Sequence, residues 1–218
     1  KGSHDFDVFN WLLGFPKPKK VSAFAGIDVL NPQNIPFELE KGIDPGPSCT
    51  ECHYSGICPD CVKQNDPMWA KDAQECDGYV KDLCIYTSDK NVHDNGIAIV
   101  EYENGVKASH LECFVSSQTD RLFTIAGTRG QATASLEKMQ IKVYPRWSRE
   151  VITYDIPQES GGHGGADPGL LDSFIKVLSK GSANTSTVEQ GIWSTAIGEA
   201  AELARRENRV VFIDELFK

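Results

Sequence analysis

Four of the seven cysteines fall within thirteen residues, in the order Cys49-x2-Cys52-x5-Cys58-x2-Cys61. Two thiolates three residues apart converge across a tight turn, so each CxxC chelates. Two such pairs offer a tetrahedral four-sulfur site, which suits zinc. The five-residue spacer is short for a zinc ribbon and requires a knuckle-like loop. The same residues are open to two disulfides, to free thiols or to an iron–sulfur cluster. Cys76 and Cys84 are available to replace a member of either pair. A site closed by four protein ligands is structural, because no coordination position is left for a substrate.

Two histidines carry the other candidate chemistry. His4 stands between Ser3 and Asp5 at the start of an apolar-periodic segment. An imidazole there feels the positive end of the helix dipole, which favours the neutral ring able to donate or accept a proton. The bland alternative is an exposed histidine near a frayed terminus. Asp5 and Asp7 flank it, either to orient the ring or to complement the dipole. His163 lies in Gly161-Gly162-His163-Gly164-Gly165, just before Asp167-Pro168. Glycines let backbone approach a ligand closely, and amides at a helix start attract oxygens. The functional reading makes this loop the lining of a substrate cleft, with His163 and Asp167 as substrate-binding residues; the other reading is a flexible connection.

The elements that must position these residues follow from periodicity. Val8, Phe9, Leu12 and Leu13 mark one face of a short helix, with Ser3 or Asp5 as its cap and Gly14 then Pro16 as its stop. Val21–Val29 reads as a strand. Residues from about 31 to 93 hold six of the seven cysteines and little periodicity, an irregular Cys-rich insertion with one short helix near Trp69–Cys76. Ile97–Tyr102 and Val106–Ser116, joined at Asn104-Gly105, read as a hairpin. Arg121–Ala126, Gln131–Leu136, Gln140–Tyr144 and Glu150–Ile156 add four strands. Asp167 as N-cap with Pro168 at the first helical position opens a helix faced by Leu170, Leu171, Phe174, Ile175 and Leu178 and stopped at Gly181. A capping box at Ser186–Glu189 opens a longer helix with Val188, Ile192, Ala196, Ala200 and Ala204 along one side. The predicted fold class is α+β, an open, mostly antiparallel sheet with helices packed on one face.

The chain has 218 residues, 40% apolar and 24% charged, which excludes wholesale disorder, collagen and coiled coil. Net charge is −9, from 22 basic against 31 acidic residues, so nucleic acid and anionic membrane are poor partners. No apolar run is long enough to span a bilayer. Dense disulfide frameworks belong to shorter chains, so the cysteine pattern reads as reduced, metal-competent thiols in a cytoplasm. No GxGxxG follows a strand, so no dinucleotide-binding unit is expected within these residues. Lys1-Gly2-Ser3-His4 has neither initiator Met nor an apolar leader, and the expectation is a chain that begins inside a larger protein.

The segment Ser-His-Asp-Phe-Asp-Val-Phe-Asn-Trp-Leu-Leu-Gly at 3–14 resembles the opening helix of the C-terminal domain of the Gfo/Idh/MocA oxidoreductases. The resemblance continues through Val-Ser-Ala-Phe-Ala-Gly-Ile-Asp-Val at 21–29, the Ile-Ala-Gly-Thr-Arg-Gly turn at 125–130, Gly-His-Gly-Gly-Ala-Asp-Pro at 162–168 and Glu-Leu-Ala-Arg-Arg-Glu-Asn-Arg-Val-Val at 202–211. It spans nearly the whole chain, with the cysteine insertion as its least standard part. It implies a two-domain enzyme dependent on NAD or NADP, whose N-terminal Rossmann domain, with its Glu-Lys-Pro lysine, would precede Lys1. Residues 1–218 would then be the C-terminal substrate-binding and oligomerisation domain, inactive alone. It further implies that His4 is the catalytic histidine at the substrate hydroxyl, that a sugar, inositol or related polyol is oxidised or formed, and that the sheet builds a homodimer or homotetramer. A redox-assisted glycosidase that retains NAD is a related reading. The reading from a different class is a metal-stabilised binding module without catalysis.

Overall fold

The computed structural model describes residues 2–62, 75–158, 160–181 and 186–217. Helix α1 (Gly2–Leu13) leads into strand β1 (Pro18–Gly26). Strands β2 (Asn95–Tyr102) and β3 (Lys107–Cys113) form the expected hairpin. Four strands follow, β4 (Leu122–Gly127), β5 (Gly130–Ser135), β6 (Gln140–Pro145) and β7 (Ile152–Asp155). Then come helices α2 (Ala166–Lys180) and α3 (Val188–Glu207), a short β8 (Val211–Phe212) and a final 3-10 turn at Ile213–Phe217. Every strand pairing is antiparallel, so the α+β class holds. The described strands form two four-stranded sheets, ordered β3-β2-β1-β8 and β4-β5-β6-β7. The chain accordingly divides into two compact units, residues 1–115 with 190–218, and residues 116–189. No helix among the described residues is long and apolar enough to cross a membrane.

The first unit holds the principal core. On β2, Ala98, Val100 and Tyr102 point inward at every second residue, the period that strand geometry imposes. They meet Phe6 from α1, Val21 from β1, Ala196, Ile197, Ala200 and Ala204 from α3, and Val211 and Ile213 from the C-terminus. The buried stripe of α3 therefore starts lower than expected, for Val188 and Ile192 are exposed. The intervening residues of the sheet place Phe24, Ile97 and Leu111 in register across β1, β2 and β3, all exposed on the opposite face. In the core, the Tyr102 hydroxyl donates to Asn10 Oδ1 at 2.9 Å, and burial pushes the Tyr102 phenol up to about 12.

Helix ends follow local backbone chemistry. Gly14 takes a left-handed φ of 78° and ends α1 as expected, and Asn208 at φ 52° closes α3. Neither Ser3 nor Asp5 caps α1, because helical geometry already begins at Gly2 and both residues lie inside the first turns. The expected short helix near Trp69–Cys76 lies outside the described residues except for its last positions. In the second unit, β4 and β5 turn through Thr128-Arg129. Gly130 there has φ 154°, and a Cβ would stand 2.3 Å from the Tyr144 carbonyl oxygen, so this position requires glycine.

Between β1 and β2 the described chain has little regular structure, a 3-10 turn at Pro32–Asn34, helical residues at 75–77 and a bridge between Ser48 and Leu83. The exit and re-entry of this long excursion are tied by Asp94, which is 4% exposed. Its carboxylate accepts the amides of Asp28, Val29 and Leu30 at 3.2, 2.9 and 2.6 Å and the Asn95 side chain at 2.7 Å. Burial pushes this carboxyl up, but the amide donors outweigh it and hold it at about 2, against an ordinary 3.8. A depressed folded value contributes stability that is complete above the ordinary range and is lost as pH falls through about 2. The gain is about 2 kcal/mol. In urea titrations at pH 5 and pH 2, Asp94→Asn should lose about that much less on acidification than the native chain. Equal losses would show that Asp94 does not carry this acid sensitivity.

Candidate functional site

His4 belongs to the first unit. It lies on the first turn of α1 with an exposed side chain. Asp5 is next to it, and its carboxylate also faces the sheet. Asp5 Oδ2 stands 3.4 Å from His110 Nε2 on β3, with side chains only 15% and 13% exposed. The His110 ring packs edge-on against Phe6 and Phe9, with centroids 5.2 and 6.1 Å away. This contact ties the first turn of α1 to the sheet and thereby bears on where His4 projects. Sequence reasoning passed over His110. The signal was present in the alternation of β3, where Ala108, His110 and Glu112 are the half-buried positions and Ser109 and Leu111 are exposed.

His163 and Asp167 belong to the second unit and are brought together. His163 Nδ1 donates to Asp167 Oδ1 and Oδ2 at 2.9 and 3.0 Å. His163 has φ 51° and ψ 38°, a left-handed conformation within the turn Gly162–Gly165. Asp167 is not the N-cap that its sequence position suggested. Gly165, at φ 88°, occupies that place without a side-chain hydrogen bond, and Ala166 is the first helical residue. One residue inside the helix, Asp167 reaches back four positions to the imidazole. Both side chains are largely exposed, so the pair adds at most about 1 kcal/mol. Its value is orientation, since it fixes the ring with Nε2 free to meet a ligand.

The insertion gathers the cysteines. Cys49, Cys52, Cys58 and Cys61 all line one cavity of about 20 Å³, with Cys84 and Tyr86 on its wall. All seven cysteines of the chain carry free thiols. Burial pushes the Cys58 and Cys61 thiols up, and neighbouring thiols add to the effect, so neither is an activated nucleophile. Cys84 differs, since hydrogen bonds with Thr87 and Tyr86 outweigh its burial and draw it down. Cys76 is exposed and does not line the cavity.

Residues 1–213 match the model of the oxidoreductase family, C-terminal alpha/beta domain. The chain is 28% identical, over its whole length and 56% of the relative's, to YteT of Bacillus subtilis (strain 168), a protein named as an oxidoreductase. Among solved structures it resembles an oxidoreductase from Agrobacterium radiobacter in complex with NAD+, L-tartaric acid and magnesium. The TM-score is 0.61 at 13% identity, over 99% of this chain and 48% of that one. It also resembles levoglucosan dehydrogenase in complex with NADH and L-sorbose, with a TM-score of 0.62 at 15% identity, over 97% of this chain and 49% of that one. The chain thus spans about half the length of the relatives it matches. The family match over nearly every residue, on the antiparallel framework described above, establishes that this chain belongs to the Gfo/Idh/MocA oxidoreductases, as their C-terminal alpha/beta domain.

Proposed function

We propose that the chain is the substrate-binding and dimerisation part of an NAD- or NADP-dependent oxidoreductase that interconverts a hydroxyl and a ketone on a sugar, inositol or related polyol. The observation that carries this reading is His4, an exposed imidazole on the first turn of α1. Such a ring is free to meet a substrate hydroxyl. In oxidation it accepts the hydroxyl proton, and in reduction it returns that proton to the new alkoxide oxygen. The chain's described residues do not fit a nicotinamide dinucleotide. Both sheets are antiparallel throughout, and no glycine-rich turn joins a strand to a helix beside a parallel neighbour. The cofactor in this reading is held by a part of the protein beyond these residues, and the 218-residue chain alone is inactive.

Within the second unit, His163, oriented by Asp167, is a proposed hydrogen-bonding group for a polyol hydroxyl. The polar, water-compatible character of that pair suits a polyol better than an apolar ligand. The exposed row Phe24–Ile97–Leu111 supports assembly of a homodimer or homotetramer through the sheet, because a contiguous apolar face of this kind marks an interaction surface. Free thiols in this number fit a reducing cytoplasm. A dehydrogenase screen tests the reading. Turnover is expected from the protein that contains this chain and none from the chain by itself.

A further inference from the structure

We infer that Cys49, Cys52, Cys58 and Cys61 are the four ligands of a structural zinc ion that holds the insertion together. The inference is independent of the active-site reading. Each CxxC closes a turn on itself, with the Cys52 amide donating to the Cys49 carbonyl at 3.4 Å and the Cys61 amide to the Cys58 carbonyl at 3.3 Å. Within each pair the two thiols therefore stand one turn apart. The Val62 amide, directly after Cys61, donates to Cys49 Sγ at 3.4 Å across thirteen residues. That bond docks the second pair onto the first, and amide donors to sulfur are the outer-shell contacts that hold ligating thiolates in place.

The surroundings are preorganised for the same end. The Cys49 amide donates to the Asp82 carbonyl at 2.8 Å and the Thr50 amide to the Asp82 carboxylate at 2.9 Å. The Tyr54 hydroxyl donates to the Ile43 carbonyl at 2.8 Å, and the Tyr86 hydroxyl bonds Asp60, between the two last cysteines. The cavity volume suits one small ion. Among the described residues no three His, Cys, Asp or Glu side chains converge as a finished metal site. The thiols line the cavity wall, and the attraction of a dication for four thiolates, each short enough to turn about one bond, supplies the closure.

Between residues 27 and 93 the buried described side chains are Ser48, Tyr54, Asp82 and Tyr86. Among these described residues no aliphatic side chain is buried, and a metal ion would add to what the two buried tyrosines contribute. An all-sulfur donor set with tetrahedral capacity selects zinc. Cys84 lines the same cavity but is a lone thiol and not part of a chelating pair.

Elemental analysis of the full-length protein, purified under reducing conditions without chelator, should give about one zinc more per chain than the double variant Cys58→Ser/Cys61→Ser. Cys84→Ser and Cys113→Ser should keep that zinc. Replacement by cobalt should produce sulfur-to-cobalt charge-transfer bands and the visible bands of a tetrahedral ion. If the double variant does not fold, strong chelation of the native protein provides the second measurement. It should expose four additional thiols to a thiol reagent while the far-ultraviolet signal of the sheet persists. Equal zinc in native and double-variant protein overturns the inference. So do iron–sulfur absorbance, a mass lowered by disulfide formation, zinc loss in Cys84→Ser, and chelation that exposes no thiols.

Discussion

In the protein that contains this chain, His4→Ala should lower turnover by ~10²–10⁴-fold, the range for a lost acid–base partner. The imidazole is exposed on the first turn of α1 and buries little apolar surface, so the melting temperature should hold within the scatter of a surface change. Cofactor affinity should hold as well, because this chain's described residues offer no dinucleotide cradle. The rate loss should fall on kcat, since a proton-transfer group acts in the transition state more than in binding. Steady-state kinetics beside a thermal melt separates the outcomes. An unchanged rate with an unchanged melting temperature would make His4 an ordinary surface histidine and leave the family membership describing the fold alone.

The largest stability effect is expected at Ile197. This side chain on α3 is fully buried and lies in the cluster with Val21, Val100, Tyr102, Val211 and Ile213. Its neighbours come from two strands of the sheet interior and from the C-terminal segment, elements that cannot close around a void without breaking strand pairing. Ile197→Ala should therefore cost about 2–5 kcal/mol, as transfer free energy plus the cavity left behind. Leu111→Ser, on the exposed face of the same sheet, should cost less than about 0.5 kcal/mol in the monomer. Urea denaturation of both variants reads the difference, and equal midpoints would show that the core does not centre on α3.

The local elements were legible because each rests on a short-range pattern. The hairpin at Asn104-Gly105 is found within three residues of its expected ends, and β4 to β7 fall close to their expected runs. β1 lies earlier than the expected Val21–Val29, since Ile27, Asp28 and Val29 are pulled into a loop by Asp94. That contact joins residues more than sixty positions apart, and no local pattern reports it. The same limit hid the division into two sheets, which depends on β1 pairing with β2 across the insertion and with β8 from the far end. At the candidate site, the types and spacings of His4, His163 and the cysteines were visible. The contact of Asp5 with His110 was not, because helix-dipole complementarity and a long-range polar contact call for the same acidic residue. The cap lies two positions before the expected Asp167 for a related reason. An Asp before a Pro is the usual cap sequence, but the left-handed Gly165 starts the helix earlier and frees the carboxylate for His163.

The domain is proposed to serve an oxidoreductase acting on polyhydroxylated substrates. The most direct test is a panel of aldoses, ketoses, anhydrosugars and inositols, each offered with NAD+ and with NADP+, followed by the absorbance of the reduced nicotinamide. Substrate-dependent reduction of one dinucleotide by the full-length protein, absent from the 218-residue chain alone, is the predicted result. No reduction of either dinucleotide with any member of the panel, by protein shown to bind the cofactor, would contradict the account.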